Sequence, residues 1–64
     1  MRVTVEVAGE GDREVDVEGT YADLLAEVGL SPHEASVLVD GRPVPEDRPV
    51  EASTVTVLRL VQGG

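Results

Sequence analysis

The chain has 64 residues, no cysteine and a formal net charge of −8, from 13 acidic and 5 basic side chains. This length predicts one small domain that buries only about 60% of its unfolded surface, and the lack of cysteine excludes disulfides, thiolate metal sites and a thiol nucleophile. The negative field disfavours direct binding to nucleic acid or anionic lipid, and no apolar run reaches the roughly 20 residues of a membrane helix.

All five basic residues are arginine, so the chain contains no lysine. Acidic, lysine-free surfaces are typical of proteins in very high salt, where ions screen the self-repulsion of the compact state. The alternative is an ordinary acidic domain that lacks lysine by chance. No basic segment followed by an apolar stretch opens the chain, and we expect a cytoplasmic protein that contacts no membrane.

The N-terminal part predicts an antiparallel hairpin. Its alternating apolar positions are Val3, Val5, Val7, Val15 and Val17. A period of two indicates strands with one buried face, and the glycine-containing segment 8–12 between them predicts the turn.

A short helix is predicted at residues 21–28. Its apolar stripe at i, i+3, i+4 and i+7 consists of Tyr21, Leu24, Leu25 and Val28. Thr20 is suited to cap its start and Gly29 to end it. A helix this short is not stable alone, so we expect it to pack on a sheet.

Three further strands follow in the prediction. Residues 35–39 are rich in β-forming side chains, Asp40-Gly41 indicates a tight turn, and residues 42–44 return as an edge strand because Pro43 lacks an N–H. The last strand runs from Thr54 to about Val61. The predicted fold is α+β: a mixed sheet of four to five strands on one short helix, with the first and last strands parallel in the middle, the β-grasp arrangement.

Three segments of the sequence are distinctive: residues 30–34 (LSPHE), residues 37–47 (VLVDGRPVPED), and residues 57–60 (VLRL) running into Gly63-Gly64. In these segments the chain resembles the ubiquitin-like modifiers, and most closely the small archaeal modifier proteins. The final Gly-Gly is shared by ubiquitin, ubiquitin-related modifiers and the sulfur carriers of molybdopterin and thiamine biosynthesis. The resemblance implies a ubiquitin-like β-grasp domain over residues 1–61 and a flexible tail over residues 62–64.

The family chemistry that the resemblance implies is centred on the Gly64 carboxylate. An ATP-dependent activating enzyme adenylates this group, and a target lysine then forms an isopeptide bond with it. Alternatively, sulfur delivered to the same carbon makes a thiocarboxylate, which donates sulfur for tRNA thiolation or cofactor synthesis. Gly63 gives clearance in a narrow active site because it has no Cβ.

Two other functions stay open at this point. The chain could be a dedicated sulfur carrier without protein targets, or a non-covalent β-grasp adaptor in which Gly63 and Gly64 have no role. In each case we expect no enzyme, no bound cofactor and no metal: ATP is used by the activating enzyme. His33 is interpreted as a solvated side chain, and the alternating acids of residues 12–18 as a solvated strand face without calcium-loop spacing.

The alternation also predicts a docking surface. If Val55 and Val57 face the helix, the opposite face carries Leu38, Leu58 and Leu60. Apolar patches rimmed by charge often mark interaction sites, although single exposed leucines are common. In ubiquitin-like proteins this surface receives activating enzymes and receptors, and Arg59, beside the patch, is predicted to anchor the tail to an acidic groove of a partner. Ubiquitin has its tail arginine one place nearer the end, where this chain has Leu60.

The lack of lysine limits how copies of the chain can be joined. A lysine-free modifier has no side-chain amine to which another copy can be attached, so only the Met1 amine is available. The sequence therefore predicts single tags or head-to-tail chains.

Overall fold

The computed structural model describes residues 1–60 and contains a mixed sheet with one helix across one face. In chain order the elements are β1 (Arg2–Val7), β2 (Gly11–Asp16), α1 (Tyr21–Glu27), β3 (Ala35–Val39), β4 (Arg42–Pro43) and β5 (Thr54–Arg59). Within the described part, no helix combines the length and the hydropathy that a membrane crossing requires.

The strand order in the sheet is β2-β1-β5-β3-β4. The central strands β1 and β5 are parallel, and the other neighbouring pairs are antiparallel. β4, which contains Pro43, lies at an edge, where a missing N–H breaks no ladder. The predicted β-grasp fold is therefore confirmed, with five strands and with the first and last strands adjacent in the middle.

The core lies between α1 and the sheet face that it covers. Its buried side chains are Val3, Val5, Val7, Val17, Tyr21, Leu24, Leu25, Ala35, Val37, Val55 and Val57. In residues 1–60 no polar or charged side chain is buried. The core is thus made mostly of valines from the strands and larger residues from the helix, and burial of these apolar groups is its main source of stability.

α1 is fixed at its start by a reciprocal pair of hydrogen bonds. The Asp23 backbone N–H donates to Thr20 Oγ1 at 3.4 Å, and the Thr20 N–H donates to Asp23 Oδ2 at 2.9 Å. A Cβ on Gly19 would overlap Asp23 Oδ2, so this capping box requires glycine there. Together the two bonds satisfy donors that the first turn of a helix leaves free.

The end of α1 falls one residue before the predicted boundary. The helix stops at Glu27, and Val28 is its C-cap with φ −98°. Gly29 adopts a left-handed φ of +80°, as its type suggested, and the Leu30 N–H donates to the Leu25 carbonyl at 2.8 Å.

Three strands end earlier than predicted, and for β5 and β2 the reason is that the partner strand ends there. β5 stops at Arg59 rather than near residue 61, since its register partner Ala35 is the first residue of β3. β2 stops at Asp16, the partner of Arg2, so Val17 follows the strand, although its N–H still donates to the Met1 carbonyl at 2.8 Å. β4 stops at Pro43, and β2 begins at Gly11, which reduces the predicted 8–12 turn to residues 8–10.

Candidate functional site

The C-terminal end of β5 is where the predicted site joins the domain. The described residues end at Leu60, so the predictions for Gly63, Gly64 and the 62–64 tail lie outside them. The structure therefore describes the position from which this segment starts, namely a strand in the middle of the sheet.

Contacts from both sides hold this end of β5. The Ala8 N–H, from the β1–β2 turn, donates to the Val57 carbonyl at 2.9 Å. On the other side the Leu60 N–H donates to the Glu34 carbonyl at 2.7 Å. Leu60 follows Arg59, the last residue of β5 with a register partner in β3, and its N–H is still hydrogen-bonded. The chain is therefore held at the point where it leaves the sheet.

Arg59 adds a side-chain contact at the same place. Its Nη1 donates to Glu10 Oε2 at 2.7 Å, which joins the end of β5 to the β1–β2 turn. The hydrogen bond and the charge of Glu10 raise the pKa of Arg59, with a smaller contribution from the charge of Glu34. The guanidinium is cationic at any physiological pH with or without this contact. The Arg59–Glu10 pair therefore helps to position the end of β5 and does not act as a pH switch.

Arg59 and Leu58 lie on opposite faces of the sheet. Arg59 has the same parity along β5 as the buried Val55 and Val57, whereas Leu58 points away from α1. The sequence analysis placed Arg59 beside the leucine patch. Arg59 is next to Leu58 in the sequence, but the two side chains lie on opposite faces of the sheet. The contact with Glu10 was missed because 49 residues separate the two and no local pattern links them.

The leucine patch (Leu38, Leu58 and Leu60) is partly assembled as predicted. Leu58 and Leu60 are 41% and 48% exposed, and Leu38 is half-buried. In the β3–β5 register Leu38 pairs with Thr56 and Ser36 pairs with Leu58, so the two leucines are diagonal neighbours on one face. Diagonal neighbours of this kind are about 7–8 Å apart, within reach of long side chains. The docking role of the patch stays a prediction.

The other half of the outer face is acidic. It carries Glu6 on β1 and Asp12, Glu14 and Asp16 on β2. Arg2 forms an ion pair with Glu14 there, with 3.5 Å between Nη1 and Oε1. Among residues 1–60 no group of three or more histidine or acidic side chains is placed to hold a metal ion, and His33 is exposed. The outer face is therefore divided into an acidic half on β2–β1 and a hydroxyl and leucine half on β5–β3.

Comparisons of the sequence and of the structure with known proteins indicate the same family. The family model for small archaeal modifier protein 2 matches residues 1–61. Small archaeal modifier protein 2 of Haloferax volcanii is 65% identical over 66 aligned residues, and an uncharacterized protein of Archaeoglobus fulgidus is 33% identical over 67, each match covering 100% of both chains. The crystal structure of the Haloferax volcanii protein superposes with a TM-score of 0.70 at 64% identity and covers 97% of both chains. The chain therefore belongs to the small archaeal modifier protein 2 family of ubiquitin-like modifiers.

Proposed function

We propose that the Gly64 carboxylate is adenylated by an ATP-dependent activating enzyme and is then joined by an isopeptide bond to lysines of target proteins. In the first step the carboxylate attacks the α-phosphorus of ATP and releases pyrophosphate. In the second a lysine amine attacks the acyl carbon, AMP leaves and the amine loses a proton. The observation that carries this proposal is the family match over residues 1–61, followed after Gln62 by Gly63-Gly64.

The composition is consistent with the chain acting as acyl donor. An ionised carboxylate is a poor electrophile and needs conversion to an anhydride before an amine can attack it. The chain has no cysteine, and its single histidine is exposed in the 31–34 turn. The proposal therefore assigns ATP binding, magnesium and the catalytic groups to the activating enzyme.

The geometry supports presentation of the tail to a partner. Hydrogen bonds from Ala8 and Leu60 hold the end of β5 on both sides, so the segment after residue 60 starts from a fixed point. Leu58 and Leu60, exposed next to this point, are the apolar groups that an activating enzyme would contact. Residues 63 and 64 have no side chains to obstruct a narrow channel.

The test compares the full chain with a chain that lacks Gly64. ATP–pyrophosphate exchange with the activating enzyme is expected for the full chain and lost for the truncated one, while Gln62→Ala, which keeps both glycines, retains exchange. Trypsin cuts after Arg59, so conjugated target peptides should carry the remnant of residues 60–64 on lysine. Normal exchange without Gly64, or no such remnant in cells that express the chain, would contradict the proposal.

A second candidate is sulfur transfer from the same carboxyl group. It is favoured by the Gly-Gly ending that the chain shares with sulfur carriers. Here sulfide sulfur, delivered by a donor enzyme, displaces AMP from the acyl adenylate and gives a C-terminal thiocarboxylate for tRNA-thiolation or cofactor-synthesis enzymes. Intact mass distinguishes the thiocarboxylate from the carboxylate. A non-covalent adaptor would instead keep its function after deletion of Gly64.

A further inference from the structure

A recess on the helix side of the sheet brings two arginines together at the end of β5. It has a volume of about 180 Å³ and is lined by Val7, Glu10, Arg13, Gly29, Leu30 and Arg59, among others. We call it the arginine recess. Arg13 enters it from β2, where it is the register partner of the buried Val5, and Arg59 enters it from β5.

The charge of the arginine recess differs from that of the remaining surface. The chain has 13 acidic side chains and only five arginines, and two of the five line this one recess. Arg2 is bonded to Glu14 on the outer face, whereas Arg13 makes no ion pair within residues 1–60. Although the protein has a net charge of −8, the arginine recess is a place where an anionic group of another molecule can approach two guanidinium groups.

A carboxylate already occupies part of the recess. Glu10 Oε2 accepts a hydrogen bond from Arg59 Nη1 at 2.7 Å, so the position suits a carboxylate. The side chains of Arg59 and Glu10 remain 52% and 49% exposed. Exposed ion pairs are weak, so a carboxylate from outside can exchange with Glu10.

We propose that the arginine recess binds an acidic side chain of a partner protein, and that Glu10 competes with that side chain for Arg59. A side-chain carboxylate fits better than a phosphate group, because a second negative charge would add repulsion from Glu10 and from the acidic surface. The occupant is on a protein because one carboxylate alone binds weakly and needs further contacts to compensate for the repulsion. The inference does not depend on the chemistry proposed for Gly64.

The proposal predicts whether each of three substitutions strengthens or weakens the binding of an acidic ligand. Glu10→Gln removes the internal competitor, so it strengthens binding of an acidic ligand, whereas Arg13→Gln and Arg59→Gln weaken it. Glu14→Gln is the matched control: it also removes one negative charge and one arginine partner, but on the opposite face of the sheet. If Glu10 only held the chain end in position, its loss would weaken binding instead.

The probe is the capped peptide acetyl-Gly-Glu-Gly-amide, with acetyl-Gly-Gln-Gly-amide as its neutral counterpart. Both are titrated into nitrogen-15-labelled protein at constant ionic strength while the side-chain Nε–H signals of Arg13 and Arg59 are followed by NMR. Backbone signals in the same spectra report whether each variant is folded. The probe needs no activating enzyme, so its result is independent of the adenylation experiment.

Because the probe offers one carboxylate and few further contacts, we expect weak but saturable shifts of both arginine signals, with the glutamate peptide and not with its glutamine counterpart. Glu10→Gln should lower the dissociation constant by about 1.5- to 5-fold, the range for loss of an exposed ion pair. Glu14→Gln should leave it unchanged. Three results would overturn the proposal: equal shifts with the glutamine peptide, tighter binding of inorganic phosphate than of the glutamate peptide, or weaker or unchanged binding by Glu10→Gln.

Discussion

The sheet face that packs on α1 and the face that is open to solvent differ even between neighbouring residues of one strand. In β5, Val55 and Val57 are 1% and 0% exposed, whereas Leu58 is 41% exposed. The covered face consists mainly of apolar side chains in contact with the helix, with the exposed Arg13 and Arg59 outside the core, and the open face carries acids, hydroxyls and leucines. The buried side chains of the first face therefore determine whether the chain folds, whereas the second face contributes no core residue within residues 1–60 and is where we expect docking of the activating enzyme.

The largest effect on stability is expected on the covered face. Leu24→Ala removes a fully buried side chain from the middle of the core, and such changes cost about 2–5 kcal/mol. A domain of this size has a free energy of unfolding of roughly 3–10 kcal/mol, so the variant should lose a large fraction of its stability. Urea unfolding followed by circular dichroism measures the loss. Leu60→Ala is the matched control and should retain nearly full stability.

A smaller effect is expected where the covered face positions α1. Gly19→Ala displaces the Asp23 carboxylate and breaks the capping box, with a loss of about 1 kcal/mol, typical of a lost N-cap. A double-mutant cycle with Asp23→Ala checks the cause, because Gly19→Ala should cost much less once the carboxylate is absent. Additive losses would show that Gly19 acts through another contact.

Substitutions on the open face should change binding of the activating enzyme and not the stability of the fold. Leu58→Ser is expected to change the free energy of unfolding by less than about 0.5 kcal/mol, as for other surface substitutions. If Leu58 docks the activating enzyme as proposed, KM for the chain in ATP–pyrophosphate exchange should rise at least about fivefold with kcat retained. Ala26→Ser, exposed on α1, is the control on the other side of the molecule. An unchanged KM would remove Leu58 from the docking surface.

The smallest effect is expected in the acidic half of the open face. Glu6 and Asp12 are direct partners in the β1–β2 register, and like charges in that position repel. Glu6→Gln should therefore stabilise the chain by about a few tenths of a kcal/mol at low salt, and molar salt should abolish the gain by screening. Glu14→Gln, which instead loses contact with Arg2, should not stabilise. Urea unfolding at two salt concentrations separates these outcomes.

Local periodicity was sufficient to predict most of the fold. The alternation in β1 and β5 and the stripe on α1 each identify a buried face, and together they predicted the valines and leucines of the core. Strand ends were less predictable, because they depend on where the partner strand stops. β5 ends at Arg59 because β3 begins at Ala35, which no pattern near residue 59 reveals.

The candidate site was predictable only where it follows the same alternation. The exposed Leu58 and Leu60 were inferred correctly from parity, and the half-buried Leu38 only in part. The Arg59–Glu10 pair was not inferred, since an ion pair between side chains 49 positions apart depends on the three-dimensional path of the chain. The roles of Gly63 and Gly64 stay predictions from the family resemblance.

The location of β5 between two hydrogen-bonded neighbours has a mechanical consequence. It pairs with the parallel β1 on one flank and the antiparallel β3 on the other. A pull on the chain beyond residue 60 runs along the strand and loads both ladders in shear, so many hydrogen bonds must break together before β5 slides out. If the chain is conjugated as proposed, a motor that unfolds the conjugate would meet a mechanically resistant domain here, and optical-tweezer pulling from the C-terminal side would measure the force that it resists.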